Sequence, residues 1–183
     1  MPGHTQVLFI QGGGPGVHDE WDARLVESLV DTLGPGHEVR YPRMPAEDDP
    51  SYARWGPAIR REIAALDDGA VVVGHSVGGT VLIHVLSETP LQRSVKAIVL
   101  LAAPFVGAGG WPGDEFQLHP DLGERLPRGV EIQAFYGLED RTVPPSHADL
   151  YARAIPQAHV HRLPGRDHQL NGDLSRVADL IKR

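Results

Sequence analysis

Apolar positions along the chain fall into two alternating rhythms, short unbroken runs and helical stripes. Val7-Leu8-Phe9-Ile10 is an unbroken run ending in Gln11-Gly12-Gly13-Gly14-Pro15-Gly16, which predicts a strand buried on both faces and then a loop. Beyond it, Leu25, Val26, Leu29, Val30 and Leu33 keep to one helical face until Gly34-Pro35-Gly36 stops the helix. Residues 38–41 predict a second, weaker strand. Ile59, Ile63 and Leu66 mark a second helix, whose start is expected near Pro57 because proline suits the first helical position. A β-branched run over 70–73 predicts the third strand, and Val77, Val81, Leu82, Val85 and Leu86 supply the stripe of the helix after it.

The same alternation continues. Residues 95–101 form a fourth apolar run and 129–136 a fifth. A helix opened by two prolines is expected over 144–154, His159-Val160-His161 is the heart of a sixth strand, and Leu174, Val177, Ala178 and Ile181 mark a closing helix. Residues 103–128 hold Phe105, Trp111 and Phe116 among glycines and prolines, with no period that assigns an element. Six strands alternating with helices predict an α/β fold, a three-layer α/β/α sandwich with a mostly parallel sheet and right-handed crossovers.

Composition narrows what such a chain does. With 183 residues, 41% hydrophobic and 22% charged, we expect a single domain over residues 1–183. Cysteine is absent, so a nucleophile has to be an oxygen and thiolate metal sites are excluded. A formal net charge of −7 argues against nucleic acid or an anionic membrane surface as the partner. No apolar stretch reaches the length of a membrane span. The start, Met1-Pro2-Gly3-His4-Thr5-Gln6, lacks the basic and apolar regions of a secretion signal, and the expected location is cytoplasmic.

The chemistry concentrates in Gly74-His75-Ser76-Val77-Gly78-Gly79, where a strand breaks into a helix around one serine. A serine at the tip of so tight a turn is held in a sparsely populated conformation, with its hydroxyl above the sheet edge and at the amino end of a helix. In open parallel sheets the functional loops gather at the carboxyl ends of the strands. Asp140 follows the fifth strand and His168 the sixth, so Ser76, Asp140 and His168 are expected to share one crevice as nucleophile, acid and base, in the chain order of the hydrolase fold built on this turn. Glu139, Asp114 and Asp121 are alternative carboxylates. For the oxyanion hole the expected donors are the backbone N–H of Val77 and of Gly13, with Gln11 and Gly14 as alternatives for the second. Gly14, His75, Phe105 and Trp111 are candidate substrate contacts. Asp167 is expected to shape its loop.

These motifs resemble those of the α/β-hydrolases. The short chain is similar to the small serine hydrolases related to retinoblastoma-binding protein nine, which lack the large lid of longer relatives. The resemblance implies the sheet order 2-1-3-4-5-6 and a serine hydrolase with no cofactor and no metal, acting on a small-molecule ester or amide. The family name also hints at a protein partner, so an inactive binding module is one alternative; diversion of the triad to acyl transfer or perhydrolysis is another. His159 and His161 lie on one face of their strand, but no third ligand stands at a telling spacing, and they are expected to be a solvated pair. Glu47, Asp48 and Asp49 are expected to be solvated too.

Overall fold

The computed structural model describes residues 3–183. Met1 and Pro2, part of the start read as lacking a secretion signal, lie outside the described residues. The strands are β1 (Thr5–Ile10), β2 (His37–Arg40), β3 (Ala70–His75), β4 (Val95–Leu101), β5 (Glu131–Gly137) and β6 (His159–Leu163). They form one parallel sheet in the order β2-β1-β3-β4-β5-β6, as the resemblance implies. The helices are α1 (Asp22–Leu33), α2 (Tyr52–Ala64), α3 (Val77–Glu88), α4 (Leu122–Arg125), α5 (His147–Ala154) and α6 (Ser175–Ile181). Among the described residues no helix is long and apolar enough to cross a membrane.

Strand parity sorts the core into two layers. Leu8, Ile10, Val72, Ile98, Leu100, Ile132 and Ala134 pack under α2, α3, α4 and α5. Val7, Phe9, Val71, Val73, Val99, Leu101 and Phe135 pack under α1 and α6. This is what a period of two does to strands covered on both faces. Residues 78–87 of α3 are all buried, so this helix has no solvent stripe and runs through the middle of its layer.

Three local readings of the sequence are corrected. Helix α2 starts at Tyr52, and Pro57 lies inside it. Ser51 caps the helix by accepting the Arg54 N–H, and Trp55, fully buried, anchors the turn that the proline expectation left out. Helix α5 starts at His147; Pro144 and Pro145 form the turn before it, their carbonyls accepting the N–H groups of His147 and Ala148. His161 is not a solvated partner of His159, because its ring stacks on Phe135 at 4.4 Å and its Nε2 meets Gln133 Oε1 at 2.5 Å.

Residues 103–128 are ordered by carbonyl contacts rather than by regular elements. The Ala103 carbonyl accepts from the Tyr136 hydroxyl at 2.7 Å, and the Pro104 carbonyl accepts from Thr80 at 2.6 Å and Tyr151 at 3.0 Å. A bridge between Val106 and Trp111, a 3₁₀ turn at Asp114–Phe116 and α4 follow, with Leu118, Leu122 and Leu126 buried beneath them.

Candidate active site

The turn from β3 into α3 is set by close packing. A methyl group on Gly74 would stand 2.5 Å from Gly79 Cα, and one on Gly78 would collide with the Gln11 carbonyl. Only glycine allows the strand, the helix and the loop after β1 to approach this closely. Ser76, between them, is driven to φ 54 and ψ −132. That conformation costs about 1–3 kcal/mol, which the surrounding packing sustains.

The structure brings Ser76, His168 and Asp140 together. Ser76 Oγ lies 3.0 Å from His168 Nε2, and His168 Nδ1 lies 2.8 Å from Asp140 Oδ2. The carboxylate only accepts, so Nδ1 carries the proton and Nε2 is left to accept from the serine hydroxyl. The other carboxylate oxygen, Oδ1, accepts the N–H groups of Thr142 and Val143, each at 2.8 Å. Burial pushes the Asp140 carboxyl up, but the hydrogen bond from His168 and the two backbone donors outweigh it and hold the group below the ordinary carboxylate range. Of the alternative carboxylates, Glu139 and Asp114 are exposed and Asp121 is taken by Arg125 at 2.7 Å. Asp167 organises its own loop, accepting the N–H groups of Gln169 and Asn171.

The loop after β1 lies against this turn. A methyl group on Gly12 would be 3.2 Å from Ser76 Cβ, and one on Gly13 would be 3.0 Å from Val77 Cγ1. The Gly12 N–H is taken by Asp22 Oδ2 at 2.7 Å and the Gly14 N–H by the Glu47 carbonyl at 2.7 Å. Among the described residues the N–H groups of Gly13 and Val77 have no hydrogen-bond partner. The Gln11 amide is spent: its Oε1 accepts from the Met44 N–H and its Nε2 donates to Glu47 at 2.7 Å. Of the two alternatives, the N–H of Gly14 is engaged, while Gly13 and Val77 keep theirs free.

The candidate substrate contacts divide. His75 is buried, at 1% exposure, with both ring nitrogens bonded, so it lies behind Ser76 and not on a surface that a ligand reaches. The Phe105 ring packs edge-on against Tyr151 at 5.2 Å, and its N–H donates to His147 Nδ1 at 2.8 Å. Trp111 stands half-exposed, edge-on to that same His147 at 5.5 Å. Gly14, at φ 132, turns the loop and has its N–H engaged.

Glu47 is not simply solvated. Its Oε2 accepts from the Gln11 side chain and from the His18 N–H at 3.0 Å, fastening both ends of the loop after β1. Asp22 and His147 escaped the sequence reading, which names Glu47 only as a solvated residue. Asp22 alone left a sign, since it stands on the apolar face of α1 with Leu25, Leu29 and Leu33.

Among the described residues one group, His84, Glu88 and His119, places potential metal-ligand atoms within 4.8 Å of one another. Glu88 is already the hub of a hydrogen-bonded set. It accepts from the Tyr52 hydroxyl and from Arg60 at 3.0 Å, and it meets His84 Nε2 at 3.1 Å. The guanidinium against this carboxylate opposes a second cation there. The group also sits roughly 12 Å along α3 from Ser76, at 1.5 Å per residue. An open groove of about 840 Å³ lies still further off, between residues 86–95 and 125–130.

The fold is shared with solved hydrolases. A meta-cleavage product hydrolase from Pseudomonas fluorescens superposes with a TM-score of 0.68 at 19% identity, over 98% of this chain and 89% of its own. Est1E from Butyrivibrio proteoclasticus, with ferulic acid bound, gives 0.66 at 14% identity, over 100% and 88%. A monoacylglycerol lipase from Paleococcus ferrophilus gives 0.68 at 14% identity, over 98% and 95%. Among curated proteins compared by sequence nothing matches. At these identities the likeness is one of fold, the α/β-hydrolase fold. The serine hydrolase family model matches residues 14–170, a span that takes in Ser76, Asp140 and His168, and the chain therefore belongs to the serine hydrolase family.

Proposed function

We propose that this enzyme cleaves a small ester or amide through an acyl-enzyme on Ser76. The observation that carries the reading is the relay of hydrogen bonds from Ser76 Oγ to His168 to Asp140, at 3.0 and 2.8 Å. His168 takes the serine proton as Oγ attacks the acyl carbon, and Asp140 holds the imidazole in the required tautomer and stabilises the imidazolium that forms. The developing oxyanion is received by the N–H groups of Val77 and Gly13 at the amino end of α3, where the helix dipole adds to the two hydrogen bonds. Each oxyanion donor contributes about 10²–10³ in kcat in serine hydrolases that have been dissected this way. His168 then returns the proton to the leaving group, and water, activated by the same imidazole, releases the acid.

A fluorophosphonate is expected to label the folded protein at Ser76. Ser76→Ala is expected to remove both labelling and hydrolysis of p-nitrophenyl acetate while leaving the circular dichroism spectrum unchanged. Labelling that survives in Ser76→Ala, or wild-type protein that neither labels nor turns over, sinks the reading.

A further inference from the structure

A second histidine–carboxylate pair lies directly behind the first. His75 Nδ1 stands 3.0 and 2.9 Å from the two oxygens of Asp22, and His75 Nε2 stands 3.0 Å from the backbone carbonyl of His168. Both partners can only accept, so both ring nitrogens are donors and the pair is an imidazolium facing a carboxylate. The His75 side chain is 1% exposed and that of Asp22 0%. A buried ion pair is a weak device for stability, because desolvating two charges offsets most of their attraction, so its placement calls for another reason.

That reason lies in where its bonds end. His75 is the residue before Ser76, its Nε2–H holds the peptide of the candidate base, and Asp22 Oδ2 accepts the N–H of Gly12, the residue before the candidate oxyanion donor. Three segments far apart in sequence, the oxyanion loop, the nucleophile turn and the base loop, thus meet on one buried pair. The two histidine rings are 5.1 Å apart, which leaves no layer of solvent or side chain between the pair and the base. We infer that His75 and Asp22 are positioning residues for hydrolysis, holding the peptide of His168 and the loop of Gly13 in register with Ser76; the inference rests on the acyl-enzyme reading.

The two bonds of His75 can be tested separately. In His75→Gln the side-chain amide reaches where Nε2 stood and retains a donor toward the His168 carbonyl. In His75→Asn it reaches where Nδ1 stood and retains only the bond to Asp22. With p-nitrophenyl acetate and with fluorophosphonate labelling, normalised to folded protein, His75→Asn is expected to lose about 10- to 100-fold in kcat and in labelling rate, the size that a small misplacement of a reacting group costs. KM should stay within about threefold, and His75→Gln should retain more activity than His75→Asn, an order that a role in stability alone does not produce. Asp22→Asn, which leaves the His75–His168 bond in place, serves as the second variant should His75→Asn not fold, and is expected to slow labelling while KM holds. Equal activity in the two His75 variants, the reverse order, or full activity per folded molecule in either His75→Asn or Asp22→Asn overturns the inference. Wild-type labelling at Ser76 in the same experiment keeps the acyl-enzyme reading standing when that happens; its absence removes both.

Discussion

Two histidine–aspartate pairs sit within one layer of side chains of each other, and they differ in what is left over. In the pair His168–Asp140 one ring nitrogen is spent on the carboxylate and the other faces a serine hydroxyl, and the His168 side chain keeps 16% of its surface open. In the pair His75–Asp22 both nitrogens are spent on acceptors and 1% remains open. The chemical groups are the same; the coordination differs. An imidazole with one free lone pair beside a hydroxyl can exchange a proton, whereas one that donates from both nitrogens can only hold. Histidine type alone therefore says little about role, and the count of donors and acceptors around each ring says most of it.

The largest expected effect breaks the first pair. Asp140→Asn presents an amide to His168 Nδ1, which favours the tautomer whose Nε2 carries the proton and cannot accept from Ser76. In a serine triad that change costs about 10⁴ in kcat with geometry intact. We expect a loss of that order for p-nitrophenyl acetate, with stability reduced by less than the loss of Asp140 altogether, because the Thr142 and Val143 N–H groups still find an acceptor. A loss of less than tenfold would show that another group orients His168.

The first pair was legible in the sequence and the second was not, for a physical reason. Ser76, Asp140 and His168 each follow a strand of a parallel sheet, and topology alone sends such residues to one edge. The sheet order itself followed from the resemblance, and the six strands from the unbroken apolar runs. His75 and Asp22 are joined by burial, which depends on how α1 packs on the sheet. Asp22 occupies the stripe of Leu25, Leu29 and Leu33, and a carboxylate on an apolar stripe was the one available sign. The course of residues 103–128 was illegible because carbonyl contacts to Thr80, Tyr136 and Tyr151 order it, and such contacts leave no period. The start of α2 was misplaced because one signal, a proline, was weighed above a serine cap six residues earlier.

A smaller effect separates the pairs by pH. Burial pushes the Asp22 carboxyl up, but the charge and bond of His75 and the bonds from Gly12 and Gln169 outweigh it, so it is held below the ordinary range, as Asp140 is. Burial pushes His75 down, and Asp22, the His168 carbonyl and the charge of Asp140 outweigh that, so it is raised. The signs give two limbs. The carboxylates contribute stability that is complete above their ordinary value near 3.9 and is lost as pH falls through the depressed folded values. His75 contributes stability that is complete below its ordinary value near 6.5 and is lost as pH rises through its raised folded value. In urea unfolding from pH 2 to 9, the stability advantage of wild type over His75→Gln should narrow on the alkaline side, while the loss on the acid side that belongs to Asp140, below pH 4, persists in both proteins. A difference that stays flat across the alkaline range would mean that the inner pair carries no charge.

The smallest effect is expected at Trp111, where the comparison can be sharpened from outside. Its ring is 36% exposed and meets His147 edge-on, and His147 Nδ1 in turn accepts the Phe105 N–H. Burial holds the His147 imidazole below its ordinary range, against the charge of Asp140 that pulls it the other way, so Trp111 stands beside the outer pair's acid through one neutral ring. Among the described residues no hydrogen bond or ring contact joins it to His75 or Asp22. Trp111→Ala removes covered as well as exposed indole surface, and stability should fall by about 0.5–3 kcal/mol. If the indole borders the acyl group of the substrate, KM for p-nitrophenyl butyrate should rise several-fold over that for the acetate with kcat held, which is the signature of lost binding common to ground and transition states. The alkaline limb assigned to His75 should not move. An unchanged KM for both esters would assign Trp111 to anchoring its loop, and a shifted alkaline limb would show that the two pairs are coupled through the outer wall as well as through the His168 peptide.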